Sequence, residues 1–441
     1  MTASVSTGAF PGRPGVAARR VLGSAATTPG RLQLMLTGLL GLTLLVGLLG
    51  AVAAGSARSG TRQLARVTEP LLVNAETINT ALADADATAA QAFLAGGLPP
   101  AAQTARYRAD IDRAGSQLAA ATARVGDSGP AADAVRTLAT QLPVYTGLIE
   151  AARANNRQGF PVGAAYLAQA SQLNRSQLLP AAQRLLTLQQ GNVLDGYASA
   201  RADGSGRWAV AMLVVLLAAL VLVQWRLYRR TNRVLNPPLV AATALTVVLA
   251  AVLAGVFASQ HGRLDRARAE GSDPVGVLAG AHILALQERA DEALTLVGRG
   301  SGAAYETDFQ AVQRVLDEQL LPAAVAQAAG PEQRRLVTEA QAANVAYVAV
   351  HKQIRAQDEQ GRYNDAVRLA TSDDKAAAPA AFARLDRALT AAIAADQSRF
   401  DQLAAQAGGG LGLLAWFAPL LAAAIGGLAL FGLRARLQEY R

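Results

Sequence analysis

The sequence predicts an all-α membrane protein with four transmembrane helices and two extracytoplasmic four-helix bundles, arranged as a duplicated unit. Three observations predict this fold: long uncharged apolar runs, helix-forming segments cut by glycine and proline, and short motifs that recur in the same order in both halves. The 441 residues are 52% hydrophobic but only 5% aromatic, and their mean hydropathy is positive. Such a composition is typical of membrane spans joined to Ala-rich helices.

Four apolar runs are long enough to cross a bilayer, which takes roughly 18 residues of helix or more. Apart from Arg207 at the edge of the second, they contain no Asp, Glu, Lys, Arg or His. Ion and proton paths need such groups inside the membrane, so the runs are predicted to be anchors and not a pore or carrier. The predicted transmembrane helices are residues 34–55, 207–225, 239–258 and 410–433.

The first and fourth spans carry small residues that predict close helix packing. Examples are Gly38, Gly41, Gly47, Ala423 and Gly427. The first span has an alternative interpretation, because the sequence Ala-Val-Ala at residues 51–53 resembles a signal-peptidase site. Cleavage there is the alternative to an uncleaved anchor, and the orientation of the remaining chain is the same in both cases.

Basic residues are concentrated in three short segments beside the spans: the stub 1–33, the loop 226–238 and the tail 434–441. Together these segments hold eleven of the 41 basic residues and one of the 32 acidic residues. Short loops rich in Lys and Arg stay in the cytoplasm, so we predict a multi-pass plasma-membrane protein with both termini cytoplasmic. Because the charge is spread over three juxtamembrane pieces, no nucleic-acid partner is predicted.

None of these cytoplasmic segments is long enough to fold as a domain, so any output is expected to pass through a separate cytoplasmic protein. The central loop is one surface that such a partner could contact. Its predicted contact residues are Arg226, Arg229, Arg230 and Arg233. A plain topology signal is the alternative explanation of these four arginines.

Residues 56–206 and 259–409 are then predicted to lie outside, each between two spans. Glycine- and proline-containing breakers divide each of them into about four helices of Ala, Leu, Gln, Arg and Glu. The breakers begin at Gly96, Gly126, Gln158, Gly298, Ala329 and Gln360. Apolar positions spaced by three and four give each helix one stripe, which predicts an antiparallel bundle with both ends at the membrane.

The two outer segments share a sequence echo that predicts the duplication. Residues 145–169 align without a gap on residues 347–371, and eight of the 25 positions are identical. Among the matched pairs are Tyr145 with Tyr347 and Arg153 with Arg355. The paired arginines Arg153 and Arg355 are candidates for binding a carboxylate ligand or an acidic partner; pairing with a near acid such as Glu150 is the alternative.

No arrangement of residues in the sequence predicts catalysis. The three histidines, His261, His282 and His351, have no paired partner at helical spacing and the chain has no cysteine, so no metal site is predicted. A P-loop, a nucleophile elbow and a kinase pattern are all absent from the sequence, and no cofactor is predicted. The sequence therefore predicts a non-enzymatic protein.

The layout of two span-bundle-span units with basic stubs and no effector domain resembles the GlnX-like family of actinobacterial four-span membrane signalling proteins. The paired Tyr, Arg and Gln-Gly pattern and the stretch YLAQASQLNRSQLLPAAQRL from Tyr166 carry this resemblance. It implies a relay in which a glutamate- and aspartate-binding solute-binding lipoprotein is sensed outside, and a soluble serine/threonine protein kinase of the protein kinase G type responds inside. The outer bundles also look like the sensor domains of chemoreceptors, although the cytoplasmic coiled coil of that family is absent.

Two other functions stay open at this point. A direct chemoreceptor-like sensor would bind its small molecule in an outer bundle, and an accessory or structural subunit would associate with a transport or cell-envelope complex. Besides the lipoprotein, the kinase and membrane lipid, a second copy of the chain is a predicted partner. The small-residue span faces and the dimerising chemoreceptor bundles support that homodimer.

Overall fold

The computed structural model describes residues 28–63, 69–200, 203–231 and 236–438. Within these ranges the regular elements are all helical, which confirms the predicted all-α fold. In chain order the helices are α1 (Thr28–Gln63), α2 (Glu69–Leu94), α3 (Ala101–Thr122), α4 (Pro130–Arg157), α5 (Val162–Leu173), α6 (Leu179–Ala200), α7 (Asp203–Thr231), α8 (Pro237–Ala267), α9 (Asp273–Val297), α10 (Ala303–Val315), α11 (Leu321–Gln327), α12 (Pro331–Glu359), α13 (Tyr363–Thr371), α14 (Ala378–Gly408) and α15 (Leu411–Gln438).

The chain forms two compact units. The apolar unit comprises the described parts of residues 1–59, 201–259 and 409–441, and the large unit comprises those of 60–200 and 260–408. In the large unit we call residues 60–200 the first segment and residues 260–408 the second segment. Helices α1, α7, α8 and α15 each contain a stretch long and apolar enough to cross a membrane, as the sequence predicts.

In the apolar unit, α1 packs on α15 through small residues. A Cβ added to Gly47 would lie 2.9 Å from the Cβ of Ala422, and one added to Gly50 would lie 3.2 Å from that of Ala418. Gly426 lies on the same stripe of α15, against Thr43. Of the small residues named from sequence, Gly47 is in this contact, whereas Gly38, Gly41, Ala423 and Gly427 are exposed. The contact surface of α15 is the neighbouring stripe of Ala418, Ala422 and Gly426. It has the same four-residue spacing of small side chains as Ala423 and Gly427.

All six breakers predicted from the sequence separate helices. The two segments of the large unit follow the same order, with α2 corresponding to α9, α3 to α10 and α11, α4 to α12, α5 to α13, and α6 to α14. At equivalent turns Gly159 and Gly361 both have φ of +74°, a left-handed conformation that glycine adopts without a Cβ penalty. The aligned side chains of Tyr145 and Tyr347 are both fully buried. The shared helix order supports a duplicated unit.

One continuous hydrophobic core contains side chains of both segments. Each segment is therefore half of a single unit, where the sequence alone suggests two separate bundles. The reason lies in α2 and α9, which pack against each other and are buried nearly all round: residues 81–92 and 288–296 are buried without interruption. A helix of an isolated bundle buries one stripe only. The buried residues of these two helices include charged side chains, among them Asp84 of α2 and Arg289 and Asp291 of α9, whose partners lie in the other segment. The second buried face of each helix is therefore covered by the other segment.

Among the described residues of the large unit, three π-helical turns interrupt the helices, at Asn174–Leu178, Arg268–Ser272 and Leu316–Leu320. The second of these turns joins α8 to α9. There Gly271 lies against the backbone of Phe400 in α14, and Glu270 pairs with Arg399 at 2.6 Å. The π-helical turn at the start of the second segment therefore packs against α14, the last helix of that segment.

Candidate functional site

A polar cavity of about 560 Å³ opens in the large unit between the two segments. Helices α2 and α3 of the first segment and α9 and α14 of the second contribute its walls. Its ionisable lining residues are Glu76, Asp84, Arg106, Asp110, Arg113, His282 and Asp386. Hydroxyl groups of Thr77, Thr80 and Thr390 and apolar side chains such as Val73 and Ile393 complete it. The volume and mixed lining lie within the range of small-molecule pockets.

Arg106 bridges the two segments across this cavity. Its Nε donates to Asp84 of α2 at 2.9 Å, and its Nη2 donates to Asp386 of α14 at 3.0 Å. The second oxygen of Asp386 lies 2.7 Å from Nε2 of His282. Both oxygens of Asp386 and both oxygens of Asp84 are therefore used within the protein.

Asp110 is the most deeply buried carboxyl of the cavity. Its side chain is buried, with 1% of the residue exposed, and its Oδ1 accepts from the half-exposed Arg113 at 2.9 Å. No N–H group of the described residues donates to its buried Oδ2, and the Asp110 carboxyl is hydrogen-bonded to that of Asp84. Burial and, next, the negative charge of Asp84 raise the pKa of Asp110 to about 7, although Arg113 and Arg106 oppose the shift.

A second buried network joins the segments through Arg175, which lies in the π-helical turn after α5. Arg175 pairs with Asp291 of α9 at 2.5 Å and lies 5.5 Å from the ring centroid of Tyr305 in α10. Close by, Asp86 accepts hydrogen bonds from Ser171 and Tyr145. Burial nevertheless raises the pKa of Asp86, because the charge of Arg175 and the hydrogen bonds offset it only in part.

The third network lies within the second segment around His351. Its Nδ1 is 3.1 Å from Glu292, its Nε2 is 3.2 Å from Glu306, and its ring stacks on Phe309. Burial disfavours a charged imidazole, but the two carboxylates outweigh burial and raise the pKa of His351 to about 9. Nearby, both oxygens of the fully buried Glu288 have no hydrogen-bond partner among the described residues, and burial raises its pKa well above the usual range.

The repeated arginines have internal partners. Arg153 donates to Glu150 at 2.7 Å and lies over the ring of Tyr107, 4.0 Å from its centroid. Arg355 pairs with Glu306, Asp358 and Glu359. Pairing with a near acid, the alternative raised from the sequence, is therefore what the structure contains. Neither arginine lines the polar cavity.

The central basic residues lie mostly on a helix and not in a loop. Helix α7 continues to Thr231, so Arg226, Arg229 and Arg230 belong to its last turns, where cations favour the helix dipole. Arg226 and Arg229 are exposed, and Arg229 lies 4.3 Å from the ring centroid of Trp225. Arg233 lies outside the described residues.

Sequence reasoning missed the cavity residues Asp84, Arg106, Asp110 and Asp386. Two signals could have found Asp84 and Asp110. Asp84 and Asp86 interrupt a stretch of small side chains, residues 81–92 of α2, and Asp110 belongs to YRADI at Tyr107, which is similar to YETDF at Tyr305 in the second segment. An acidic side chain on a helix that is apolar all round needs a partner from elsewhere in the fold. No group of His, Cys, Asp and Glu that could hold a metal ion occurs within the described ranges.

The fold and its apolar helices define an all-helical membrane protein with one large charged-core unit. Residues 60–198, about a third of the chain, match the family model described as Actinobacterial sensor domain. The matched residues are the first segment of the large unit. The match supports a sensor family of actinobacteria and a sensing or signalling role, which favours a non-catalytic protein. No curated protein and no solved structure matches the chain.

Proposed function

We propose that the protein is a non-enzymatic transmembrane signal relay whose input is received by the large unit and whose output leaves on the cytoplasmic side. One observation carries this proposal. Helix α8 begins in the apolar unit, its last residues from Gln260 belong to the large unit, and a π-helical turn links it to the central helix α9. A shift of α9 therefore has a helical path to a membrane span.

The finer proposal concerns topology and partners. The basic segments support a plasma-membrane protein with both termini cytoplasmic, so the large unit would be extracytoplasmic. The family resemblance supports sensing of glutamate or aspartate through a solute-binding lipoprotein, with a cytoplasmic serine/threonine protein kinase as the receiver. The sensor-domain match to residues 60–198 supports the sensing half of this relay.

A second candidate function is direct sensing of a small molecule. The polar cavity between the segments favours it, because ligand closure there would change how α2 and α3 pack on α9 and α14. The two candidates differ in what reaches the large unit: a loaded binding protein or the small molecule itself.

Cross-linking of the tagged full-length protein in native membranes tests the relay. Recovery of a solute-binding lipoprotein together with a cytosolic serine/threonine kinase, identified by mass spectrometry, is the expected result. Recovery of a permease or a wall-building enzyme in their place would move the protein to the accessory-subunit class. The same experiment reports cross-links to a second copy.

A variant of the central arginines tests the cytoplasmic side of the proposed relay. Replacing Arg229, Arg230 and Arg233 together by Gln is expected to weaken recovery of the kinase while the lipoprotein is still recovered. A protease-protection assay on the same membranes checks that the variant inserts in the original orientation. Full kinase recovery with correct insertion would leave these residues with a topological role only.

A further inference from the structure

We propose that the carboxyl groups of Asp84 and Asp110 form a proton-binding site that couples the packing of the two segments to pH. The proton is then an input of the large unit in its own right, beside the loaded binding protein or the small molecule considered above. Both residues belong to the large unit, and their titration needs no kinase. The proton site and the kinase relay can therefore fail separately.

The hydrogen bond between these two carboxyl groups needs a proton. Asp84 lies on α2 and Asp110 on the neighbouring helix α3, and their side chains are hydrogen-bonded to each other. An ionised carboxylate has only acceptor oxygens, so one of the two groups carries a proton in this arrangement. Both residues are buried, with 1% of Asp110 and 8% of Asp84 exposed. A proton held between two interacting carboxyl groups belongs to the pair and not to one residue.

The surroundings set the pH at which the pair loses this proton. Burial and, next, the negative charge of Asp84 raise the pKa of Asp110 to about 7, and Arg113 and Arg106 oppose the rise. An ordinary exposed aspartate is fully ionised near neutral pH, because its pKa is about 3.9. The pair therefore changes its protonation in a range of pH in which other aspartates do not.

Ionisable groups surround the pair from four helices. They are Glu76 on α2, Arg106 and Arg113 on α3, His282 and Arg289 on α9, and Asp386 on α14. Among them Arg106 connects the pair to the second segment, since it donates to Asp84 and to Asp386. Imidazole is the side chain that most often changes its charge near neutral pH, so His282 is the rival group that an experiment has to separate from the pair.

The position of Arg106 explains how the proton affects packing. Arg106 lies four residues before Asp110 on α3, and side chains at this spacing lie on the same helix face. While the pair holds its proton, Arg106 stays on Asp84 and Asp386. Once the proton is lost, two carboxylates are in contact, and the ionised Asp110 attracts Arg106 away from Asp386.

Proton linkage gives the direction of the effect. Packing in which Arg106 bridges the segments holds the proton of the pair more tightly, so low pH favours it. The weakened bridge is favoured as the pH rises through about 7. The two segments are thus expected to loosen around the cavity on the alkaline side of this value.

A fluorescent label on the cavity wall tests this coupling in the purified full-length protein in detergent. The chain has no cysteine, so Ala109→Cys, at an exposed position that lines the cavity, takes a single environment-sensitive bimane label. We expect its emission to change reversibly between pH 5.5 and 8.5, with a midpoint near pH 7. The same label on Ala119→Cys, exposed on the same helix but not part of the cavity lining, is expected to show no such transition.

Asp110→Asn in the labelled Ala109→Cys protein is the diagnostic variant. Asparagine has nearly the same size and can donate to Asp84 at every pH, so the transition is expected to be lost and the emission to stay at its low-pH value. His282→Gln is the matched control, because it removes the rival titratable group and keeps the carboxyl pair. The transition is expected to persist in this control.

Arg113→Gln keeps the test independent of a change in the pair itself. It removes a half-exposed cation that opposes the raised pKa of Asp110, so the midpoint is expected to move to higher pH. A transition that survives in Asp110→Asn, a transition that disappears in His282→Gln, or an unchanged midpoint in Arg113→Gln would overturn the proposed site. The absence of any transition in the labelled Ala109→Cys protein would overturn it as well.

Infrared difference spectroscopy between pH 5.5 and 8.5 measures the proton without a label. We expect the band of protonated carboxyl groups to shrink as the pH rises. Part of this loss is expected from Asp291, whose pKa burial raises to about 7. The loss is therefore expected to be smaller, not absent, in Asp110→Asn. An equal loss in the wild type and in Asp110→Asn would show that the pair does not release a proton in this range.

Discussion

The guanidinium of Arg175 in the first segment lies 2.5 Å from the carboxylate of Asp291 in the second, and 1% of the Asp291 side chain is exposed. Coulombic attraction from Asp291 and Asp86 raises the pKa of Arg175 against the opposing effect of burial. This ion pair connects two segments of the large unit that are more than a hundred residues apart in the chain. Substitutions in this pair therefore test whether the two segments stabilise each other.

Replacing Arg175 by Met is expected to destabilise the large unit by about 1–3 kcal/mol, because Asp291 is then buried without its cation. The loss is smaller than for a fully ionised pair, since burial already raises the pKa of Asp291 to about 7 and the carboxyl can protonate. The double variant Arg175→Met with Asp291→Leu is expected to recover much of this loss, since no charge is then left unpaired. Thermal unfolding of the full-length protein in detergent measures both. A single variant as stable as the wild type would show that the ion pair does not hold the segments together.

The pKa of His351 predicts a pH dependence of stability. The folded pKa of about 9 is higher than the usual value of 6.5. The imidazolium therefore contributes stability that is complete below pH 6.5 and is lost as the pH rises through 9. We expect the melting temperature to fall over this range, and to fall less in His351→Gln, although that variant is less stable at every pH because Glu292 loses its partner.

Glu306→Gln gives a control for the His351 prediction. It removes one of the two carboxylates that raise the pKa of His351, so the loss of stability is expected to begin at lower pH than in the wild type. A wild-type melting temperature that stays constant from pH 6.5 to 9.5, or the same slope in His351→Gln, would contradict the role of His351.

The helices and their ends could be predicted from sequence because both depend on nearby residues. Glycine and proline mark all six breaks, and long uncharged runs mark the spans. The single core could not be read in the same way. Small side chains along α2 allow a second packing surface, whereas the charged residues 288–292 of α9 look like a solvated face in the sequence. Neither pattern identifies the partner that buries these helices.

The candidate site could not be predicted from the sequence for a related reason, because its residues come from distant parts of the chain. Arg106 and Asp386 are 280 residues apart, and each looks like an ordinary surface charge in its own helix. The repeated Arg153 and Arg355 were more conspicuous in the sequence, yet both are paired with neighbouring acids on their own helices. A local repeat thus identified the duplication, whereas the cavity depends on contacts between the first and the second segment of the large unit.

The junction between α8 and α9 gives the prediction that links packing to signalling. A Cβ added to Gly271 would lie 2.7 Å from the Cβ of Phe400 and 2.9 Å from its Cα. Phe400 is itself buried, so α14 would have to move. We expect Gly271→Ala to destabilise the protein by about 1–3 kcal/mol through overpacking.

Gly276→Ala is the matched control for Gly271→Ala, because Gly276 lies one turn further along the same stretch and its nearest neighbour, Nε2 of Gln190, is at an ordinary 3.7 Å. Alanine there is expected to be neutral or to stabilise by up to about 1 kcal/mol, since it lowers the entropy of the unfolded chain. Thermal unfolding compares the two variants. If both had the same stability, the close approach of α14 to the π-helical turn would not constrain the junction. If only Gly271→Ala also changed kinase recovery in the cross-linking assay, the junction would lie on the path of the signal.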